Sequence, residues 1–215
     1  MKTKRIVLII LVLFIIILTY VLYRYNIIPH KKYTNEDFNV STYISTIDKD
    51  ADGIDDQTDI LNNAFDYVAT NPKYKSKYYA TGYPNDEYGV CTDVVAIALK
   101  NAGYDLQELI NEDVREDQEA YDIEVIDKNI DFRRVNNIKV YLERHAKSLT
   151  TNIHDISAWQ GGDVVVFTRH IAVVSNHRNH NGVPFIVHHA NPYQSSYEED
   201  ILEYRNDIVG HYRMS

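Results

Sequence analysis

The stretch GGDVVVFTRHIAVVSNHRNHNGVPFIVHHANP, residues 161–192, carries the pattern that decides the fold class. β-Branched residues alternate through Val164 and Val166 and continue into RHIAVVS, and a second apolar run, PFIVHHA, follows a polar segment. Two such runs separated by turn residues are typical of adjacent antiparallel strands. We therefore predict two strands of one sheet, with His177 and His180 solvated in the turn that joins them.

Histidines in these two predicted strands can place imidazole rings on one sheet. His170 lies in the first strand, and His188 and His189 follow about 18 residues later in the second. Adjacent residues of a strand face opposite sides of the sheet, so only one of the later pair can share a face with His170. The alternative for His170 is a buried core histidine whose hydrogen bonds are satisfied within the fold.

The only cysteine of the chain, Cys91, precedes a helical pattern in YGVCTDVVAIALKNAG, residues 88–103. The apolar positions of this helix are Val94, Val95, Ala98, Leu99 and Ala102. Gly103 is typical of the residue that follows a helix. Cys91 is thus predicted at the N-cap or the first helical position, where unpaired N–H groups and the helix dipole lower the pKa of a thiol. The position alone does not decide between a catalytic nucleophile and a small buried core residue.

The order of these motifs resembles the NlpC/P60-like papain-fold cysteine peptidases. A cysteine at a helix start is followed by GGDVVVF, RHIAVVS and FIVHHA. More closely, the segments YGVCTDVV, NIDFRRVNNIKVYLERH, IVHH and the terminal GHYR are similar to the DUF1287 family over about residues 58–215. The resemblance implies an α+β, papain-like domain in which a nucleophile-bearing helix packs on an antiparallel β-sheet.

The resemblance also implies roles for individual residues. Cys91 would be the nucleophile, His170 the general base, and His188, rather than His189, the group that orients the base. It implies hydrolysis of a peptide or amide bond of peptidoglycan. Val90 and Thr92 replace the residues that usually flank the nucleophile in NlpC/P60 enzymes, which leaves the substrate open. The alternatives are a non-catalytic, calcium-dependent wall-binding module and a cysteine-dependent acyltransferase on the same fold.

A second helix is predicted in DFRRVNNIKVYLERHAK. Its core-facing positions are Val135, Ile138 and Leu142. Arg133 and Arg134 near its start are candidates to bind a substrate carboxylate. The alternative is that they pair with Asp131 or with the acidic stretch 112–124.

The stretch DKDADGIDDQTD, residues 48–59, matches a twelve-residue calcium-binding loop. The predicted ligands are Asp48, Asp50, Asp52, the Ile54 carbonyl, Asp56 and Asp59, and Gly53 stands at the sharp turn. Asp59 replaces the usual Glu, and Asp55 stands where a paired EF-hand has an apolar residue, so the loop is more like the single calcium loops of extracellular bacterial proteins. A solvated acidic loop is the alternative, but six aspartates would repel each other strongly without a cation. We expect a helix behind the loop, from about Thr58 to Thr70.

The N-terminus, MKTKRIVLIILVLFIIILTYVLYRY, has an uncharged run from Ile6 to Tyr23. As a helix these residues would rise about 27 Å, roughly the hydrocarbon thickness of a bilayer. The apolar run is followed neither by a small-residue cleavage site nor by a cysteine that could carry a lipid. This pattern favours an anchor over a cleaved signal. The predicted organisation is a cytoplasmic N-terminus (1–5), a transmembrane anchor (6–23), a juxtamembrane linker (24–47), a calcium loop (48–59) and a catalytic domain (58–215).

The charge distribution restricts the partners of this 215-residue chain. Residues 1–32 hold six basic residues, and the rest carries 16 basic and 31 acidic residues, a net charge near −15. Such a body is unsuited to nucleic acid and suited to cations. A weak calcium site is useful where calcium is millimolar, so we expect the domain outside the cell, at a bacterial surface.

Overall fold

The computed structural model describes residues 2–214. Two residues lie outside the described part of the chain: Met1 of the predicted cytoplasmic N-terminus and Ser215 of the predicted catalytic domain. The chain divides into two compact units, Met1–Lys31 and Lys32–Ser215.

The first unit is dominated by helix α1 (Lys2–Arg24). This helix is long and apolar enough to cross a membrane, and a signal sequence can have the same length and composition. After the helix the chain turns back, and the ring of His30 stacks on that of Tyr23 with 3.7 Å between centroids. His30 Nε2 also lies 2.8 Å from the Tyr23 carbonyl oxygen.

The second unit is a mixed α+β fold built on an antiparallel sheet. Its helices are α2 (Asp56–Ala69), α3 (Cys91–Asn101), α4 (Leu106–Glu116), α5 (Gln118–Tyr121), α6 (Lys128–Asp131) and α7 (Val135–His145). Its strands are the parallel pair β1 (Lys73–Tyr74) and β2 (Tyr88–Gly89), then β3 (Lys147–Ser148), β4 (Val164–Phe167), β5 (His170–Arg178), β6 (Pro184–Val187), β7 (Glu198–Glu199) and β8 (Ile208–Arg213). The last six form one sheet in the order β3-β8-β4-β5-β6-β7, with all neighbours antiparallel.

The first predicted strand of residues 161–192 is in fact a tight hairpin. Phe167 of β4 pairs with His170 of β5, and only Thr168 and Arg169 connect them. The prediction joined the apolar runs VVVF and IAVVS into one strand across the polar residues Thr168 and Arg169. Because both strands are buried on both faces, neither shows the alternation that would have marked its end. His177 lies in β5 rather than in the following turn, and His180 is exposed as predicted.

Alternate residues of the sheet pack into two separate cores. On one face Val164, Val166, Ile171, Val173 and Val187 contact the helices, including α2 and α3. On the other face Val165, Phe167, Ala172, Val174 and Ile186 pack around Trp159 and Leu202. This alternation is the period of two expected of strands that are covered on both sides.

Helices α2 and α3 agree with the sequence pattern. The predicted apolar positions of α3 are all buried, and Gly103 has a φ of +85°. In α7, Ile138 and Leu142 are buried and Val135 is partly buried, but the helix begins only at Val135. Asp131, the first residue of the predicted helix, instead ends the separate short helix α6.

The GGD segment and the terminal GHYR meet at Asp163, which binds His211 and Arg213. This carboxylate is fully buried and accepts hydrogen bonds from His211 Nε2 at 2.9 Å and from Arg213 at 2.7 and 2.8 Å. Gly162 has a φ of +90°, and a Cβ there would lie 2.1 Å from the Gln57 carbonyl oxygen. The two motifs therefore fasten β4, β8 and α2 together.

The segment predicted as a juxtamembrane linker packs on the second unit from residue 32 onward. Tyr33 pairs with Arg178 through two backbone hydrogen bonds. The buried Arg178 guanidinium donates to Asn35 Oδ1 at 2.6 Å and to the Gly182 and Trp159 carbonyl oxygens. Residues 32–47 thus belong structurally to the domain.

Candidate active site

Cys91 is the first residue of α3, and its sulfur lies against β5. The backbone N–H groups of Ile171, Thr92 and Cys91 itself are directed at the sulfur. Cys91 lies on the helix side of the sheet with Ile171, whereas the His170 ring lies 5.8 Å from that of Phe167 on the opposite face. The hydrogen bonds within residues 2–214 do not include one between the thiol and the His170 ring.

The thiol is not acidified as the helix position led us to predict. Burial raises the pKa of Cys91 to about 11, and the nearby Asp93 carboxylate acts in the same direction. The surrounding backbone N–H groups oppose this effect without overcoming it. Cys91 is therefore a neutral thiol at pH 7.

His170, His188 and Glu199 form a hydrogen-bonded chain. His170 Nε2 lies 2.7 Å from His188 Nδ1, and His188 Nε2 lies 3.0 Å from Glu199 Oε2. The pairing of Val173 with Val187 sets His188 two residues diagonally from His170, on the same face of the sheet. The ring nitrogen of His170 that His188 does not engage is Nδ1.

Both histidines of this chain are neutral at pH 7. Burial is the main cause that lowers the pKa of His170 and of His188, and the Arg205 guanidinium acts in the same direction on each. Asp207, which binds Arg205 at 2.7 and 2.6 Å, partly offsets this effect at His170. A neutral imidazole can accept a proton, as a general base must.

His189 faces the other side of the sheet and lines a cavity of about 360 Å³. Its ring lies edge-on to those of Tyr74 and Tyr197, each at 5.1 Å between centroids. Tyr74 pairs with Gly89, two residues before Cys91, so the cavity adjoins the start of α3. Its walls are formed by residues 71–74, His189, Asn191, Pro192, Gln194 and Tyr197.

Asp93 fixes the helix start that carries Cys91. Its Oδ2 accepts the Val90 N–H at 2.8 Å, and the Arg133 guanidinium binds both carboxylate oxygens at 2.7 and 2.9 Å. Arg133 is buried and also donates to the Lys77 carbonyl oxygen. Arg133 therefore has a structural role with a partner that the sequence did not indicate, while the exposed Arg134 lies 3.8 Å from Asp131.

The predicted calcium loop is folded by its own carboxylates. Asp48 accepts the Gly53 N–H at 2.9 Å, and Asp52 accepts the Ile54 N–H at 2.8 Å. Asp48, Asp50 and Asp52 each offer an oxygen within 4.8 Å of the others. Gly53, with a φ of +93°, makes the sharp turn.

The other predicted carboxylate ligands have different surroundings. Asp56 accepts the Lys49 N–H at 2.8 Å on one oxygen and the Tyr104 hydroxyl on the other, so the structure gives it a role in fastening the loop to the domain. Asp59 is buried, and its Oδ2 has no hydrogen-bond partner within residues 2–214. Burial and the charges of Asp52 and Asp50 raise the pKa of Asp59 to about 6.

Two residues of the candidate site were missed in the sequence. Glu199 lies in a two-residue strand within SSYEED, and nothing in that acidic segment distinguishes it from Glu198. Asp93 had a usable signal, because an acidic residue at the third position of a helix is typical of a capping box. Its partner Arg133 is 40 residues away in the chain, beyond any local pattern.

Comparison with known proteins identifies the family of this chain. The sequence profile of the family described as "Domain of unknown function (DUF1287)" matches residues 61–214. The curated protein described as "Uncharacterized protein YijF", from Escherichia coli (strain K12), is 36% identical over 152 residues, which cover 66% of this chain and 72% of that protein. No solved structure matches the chain. The profile includes Cys91, His170, His188 and Glu199, and the chain belongs to the DUF1287 family.

Proposed function

We propose that this protein is a cysteine amidohydrolase in which Cys91 is the nucleophile and His189, the histidine on its side of the sheet, is the general base. The predicted base His170 and its neighbour His188 lie on the opposite face. One observation carries the proposal: Cys91 and His189 lie on the same side of the sheet, where the Ile171 amide is directed at the sulfur and Tyr74, which lies near Cys91, has its ring 5.1 Å from that of His189. A nucleophile and a nearby base are parts that acyl transfer requires.

The reaction begins with a neutral thiol and a neutral imidazole. The thiol passes its proton to His189 as the sulfur attacks the carbonyl carbon. The Cys91 N–H, at the first position of α3, stabilises the negative oxygen. His189 then protonates the leaving amine, and water attacks the thioester, giving a carboxylic acid and the free thiol.

The substrate we propose is a peptide or amide bond of peptidoglycan. The cavity of about 360 Å³ lined by His189, Tyr74 and Tyr197 leaves room for a substrate, and the NlpC/P60 resemblance supplies the cell-wall assignment. In this proposal α1 anchors the protein in the membrane and residues 32–215 lie outside the cell. The acidic charge of the domain suits the millimolar calcium of that location.

We also propose that the loop 48–59 binds calcium. The support is the orphaned, buried Asp59 Oδ2, together with the three adjacent carboxylates of Asp48, Asp50 and Asp52. Hard oxygen donors of this kind are calcium ligands. These four side chains, with the Ile54 carbonyl, would hold the ion, while Asp56 would not contact it.

The test uses the full chain in detergent micelles, incubated with purified peptidoglycan. We expect soluble fragments with new carboxyl and amino ends by mass spectrometry, and release at the level of the protein-free control for Cys91→Ala. His177→Ala is the matched control, because His177 lies in β5 but bonds to Glu198 outside the chain of His170 and His188. This variant should retain activity.

Other outcomes identify the competing functions. Fragment release by Cys91→Ala equal to that of the natural chain would disprove the nucleophile. Wall binding by both proteins without fragments would favour a binding module. Products carrying an added acceptor amine, in place of a new acid, would favour an acyltransferase.

A further inference from the structure

The cavity lined by His189 lies next to the candidate nucleophile. It has a volume of about 360 Å³, and its wall includes Tyr74, which lies near Cys91. The Nδ1 atom of His189 is enclosed and has no hydrogen-bond partner within residues 2–214. A buried polar atom of this kind is usually completed by a water molecule or a ligand, so the cavity is a candidate binding site.

The described wall of this cavity is polar and almost without charge. It is formed by carboxamide side chains and by the rings of tyrosine and histidine: Asn71, Asn191, Gln194, Tyr74, Tyr197 and His189. Burial lowers the pKa of His189, so this ring is neutral at pH 7. Lys73 is the charged residue of the described wall, and its ammonium group lies 3.6 Å from Glu87 Oε1. The wall therefore suits a neutral, polar ligand.

The loop that forms one side of the cavity, residues 190–197, is held by its own side chains. Gln194 makes hydrogen bonds to three nearby backbone groups, at 2.6, 3.2 and 2.7 Å. Asn191 Oδ1 accepts the Tyr193 N–H at 2.8 Å. These contacts fix the backbone on both sides of Tyr193.

Tyr193 stands in water at the rim of the cavity. It is 93% exposed, more than any other aromatic residue between residues 2 and 214, and its neighbours Pro192 and Gln194 both line the cavity. The hydrogen bonds of the loop hold the backbone, so the exposure of the ring does not result from a loose segment. The loop thus presents a flat apolar face beside a polar cavity.

We propose that this cavity, with Tyr193 at its rim, binds a sugar residue of the substrate. A sugar is neutral, its hydroxyl groups donate and accept as carboxamides do, and its ring carries C–H groups that pack on the face of a tyrosine. A peptide without sugar would bring a carboxylate end, for which the described wall offers Lys73 alone.

This inference rests on the proposed function and deepens it. Because Tyr74 lies near Cys91 and also lines the cavity, a sugar bound there lies close to the nucleophile. The amide bond that reaches Cys91 would then be one close to a sugar in the substrate. The substrate class is a peptide that is still attached to its glycan.

The test measures sugar binding, which needs no hydrolysis. The full chain is held in micelles of a detergent without sugar groups, and the trisaccharide of N-acetylglucosamine is titrated while saturation-transfer NMR follows its ring protons. We expect saturable binding by the natural chain. In Tyr193→Ala the dissociation constant should rise roughly 3–10-fold, because the contact between ring and sugar is lost. Tyr193→Phe should bind as the natural chain does, because it keeps the ring.

Tyr204→Ala is the matched control. Tyr204 is 42% exposed in the one-turn helix Leu202–Tyr204 and lies outside the described wall of the cavity. Its removal should leave the dissociation constant unchanged. The emission of the buried Trp159 reports whether each variant is folded.

Two results with the trisaccharide would overturn the proposal: no saturable binding by the natural chain, or equal dissociation constants for the natural chain and folded Tyr193→Ala. A sugar-free peptide of alanine, glutamate and lysine is titrated in parallel, and saturable binding of this peptide in place of the trisaccharide would also overturn it. If the trisaccharide binds through Tyr193 but Cys91→Ala still digests peptidoglycan, the proposed nucleophile fails and the sugar site stands.

Discussion

At the scale of the residue, Cys91 experiences two opposing effects. The first turn of α3 and the Ile171 amide direct positive dipoles at the sulfur, which favours the thiolate. Burial removes the water that would solvate the thiolate, and this larger effect raises the pKa to about 11. The site therefore differs from one with a preformed thiolate–imidazolium pair, because the thiol is neutral at rest.

This resting state predicts the pH dependence of alkylation at Cys91. Since the folded pKa lies above the measured range, the thiolate fraction and the iodoacetamide rate should rise about tenfold for each pH unit between pH 7 and 9. The charged or titratable neighbours are Asp93 and Tyr74. The same chain unfolded in urea is the control, because an exposed thiol has a pKa of about 8.5 and its rate levels off above pH 9. A folded-state rate that is constant from pH 6 to 9 would instead show a preformed thiolate.

At the scale of the element, α3 is held in place by one buried ion pair. Asp93 closes the helix start and binds Arg133, which also reaches the Lys77 carbonyl oxygen in the loop before β2. The pair thus connects three segments around the nucleophile. Loss of one partner leaves a buried charge without compensation.

The neighbouring arginines give a paired prediction. Arg133→Met should lower the free energy of unfolding by about 3–5 kcal/mol because Asp93 stays buried and unpaired. Arg134→Met should change it by at most about 0.5 kcal/mol, because Arg134 is exposed and lies 3.8 Å from Asp131. Urea titration followed by Trp159 fluorescence measures both. Equal losses in the two variants would contradict the structural role of Arg133.

Some of these elements could be predicted from the sequence, and others could not. The apolar period predicted α2 and α3 because each buries one stripe against the sheet. The turn at Thr168 and Arg169 was missed because β4 and β5 are buried on both faces and present no alternation. The role of Arg133 was missed because its partner Asp93 is 40 residues away in the chain. The sequence predicted Cys91 at a helix start, whereas the side of the sheet on which each histidine lies came only from the three-dimensional fold.

At the scale of the whole molecule, the loop 48–59 lies between two parts of the domain. Before it, Ser45 donates to Asp55, the residue that caps α2. Within it, Asp56 binds Tyr104, which follows α3. A cation in this loop would therefore stabilise the packed segment 32–47 and the α2–α3 layer that supports Cys91.

The raised pKa of Asp59 determines how the stability of the metal-free domain changes with pH. Its folded pKa of about 6 lies above the ordinary value of 3.8, so the metal-free domain loses stability as the pH rises from about 4 to 6. Calcium binding needs the ionised carboxylate. We expect calcium to raise the melting temperature of the full chain at pH 7.5 and to do so much less at pH 5, with EGTA as the metal-free reference.

The variant Asp59→Asn separates a calcium site from a merely acidic loop. Without calcium at pH 7.5 it should melt at a higher temperature than the natural chain, because it removes the repulsion from Asp52 and Asp50. Addition of calcium should raise the melting temperature of this variant less than that of the natural chain, because a ligand is lost. Asp66→Asn is the control, since Asp66 lines the same cavity of about 420 Å³ but is exposed and is not a predicted ligand. Equal melting temperatures in calcium and EGTA at pH 7.5 would disprove the calcium site, whereas a higher metal-free melting temperature of Asp59→Asn would still establish the repulsion.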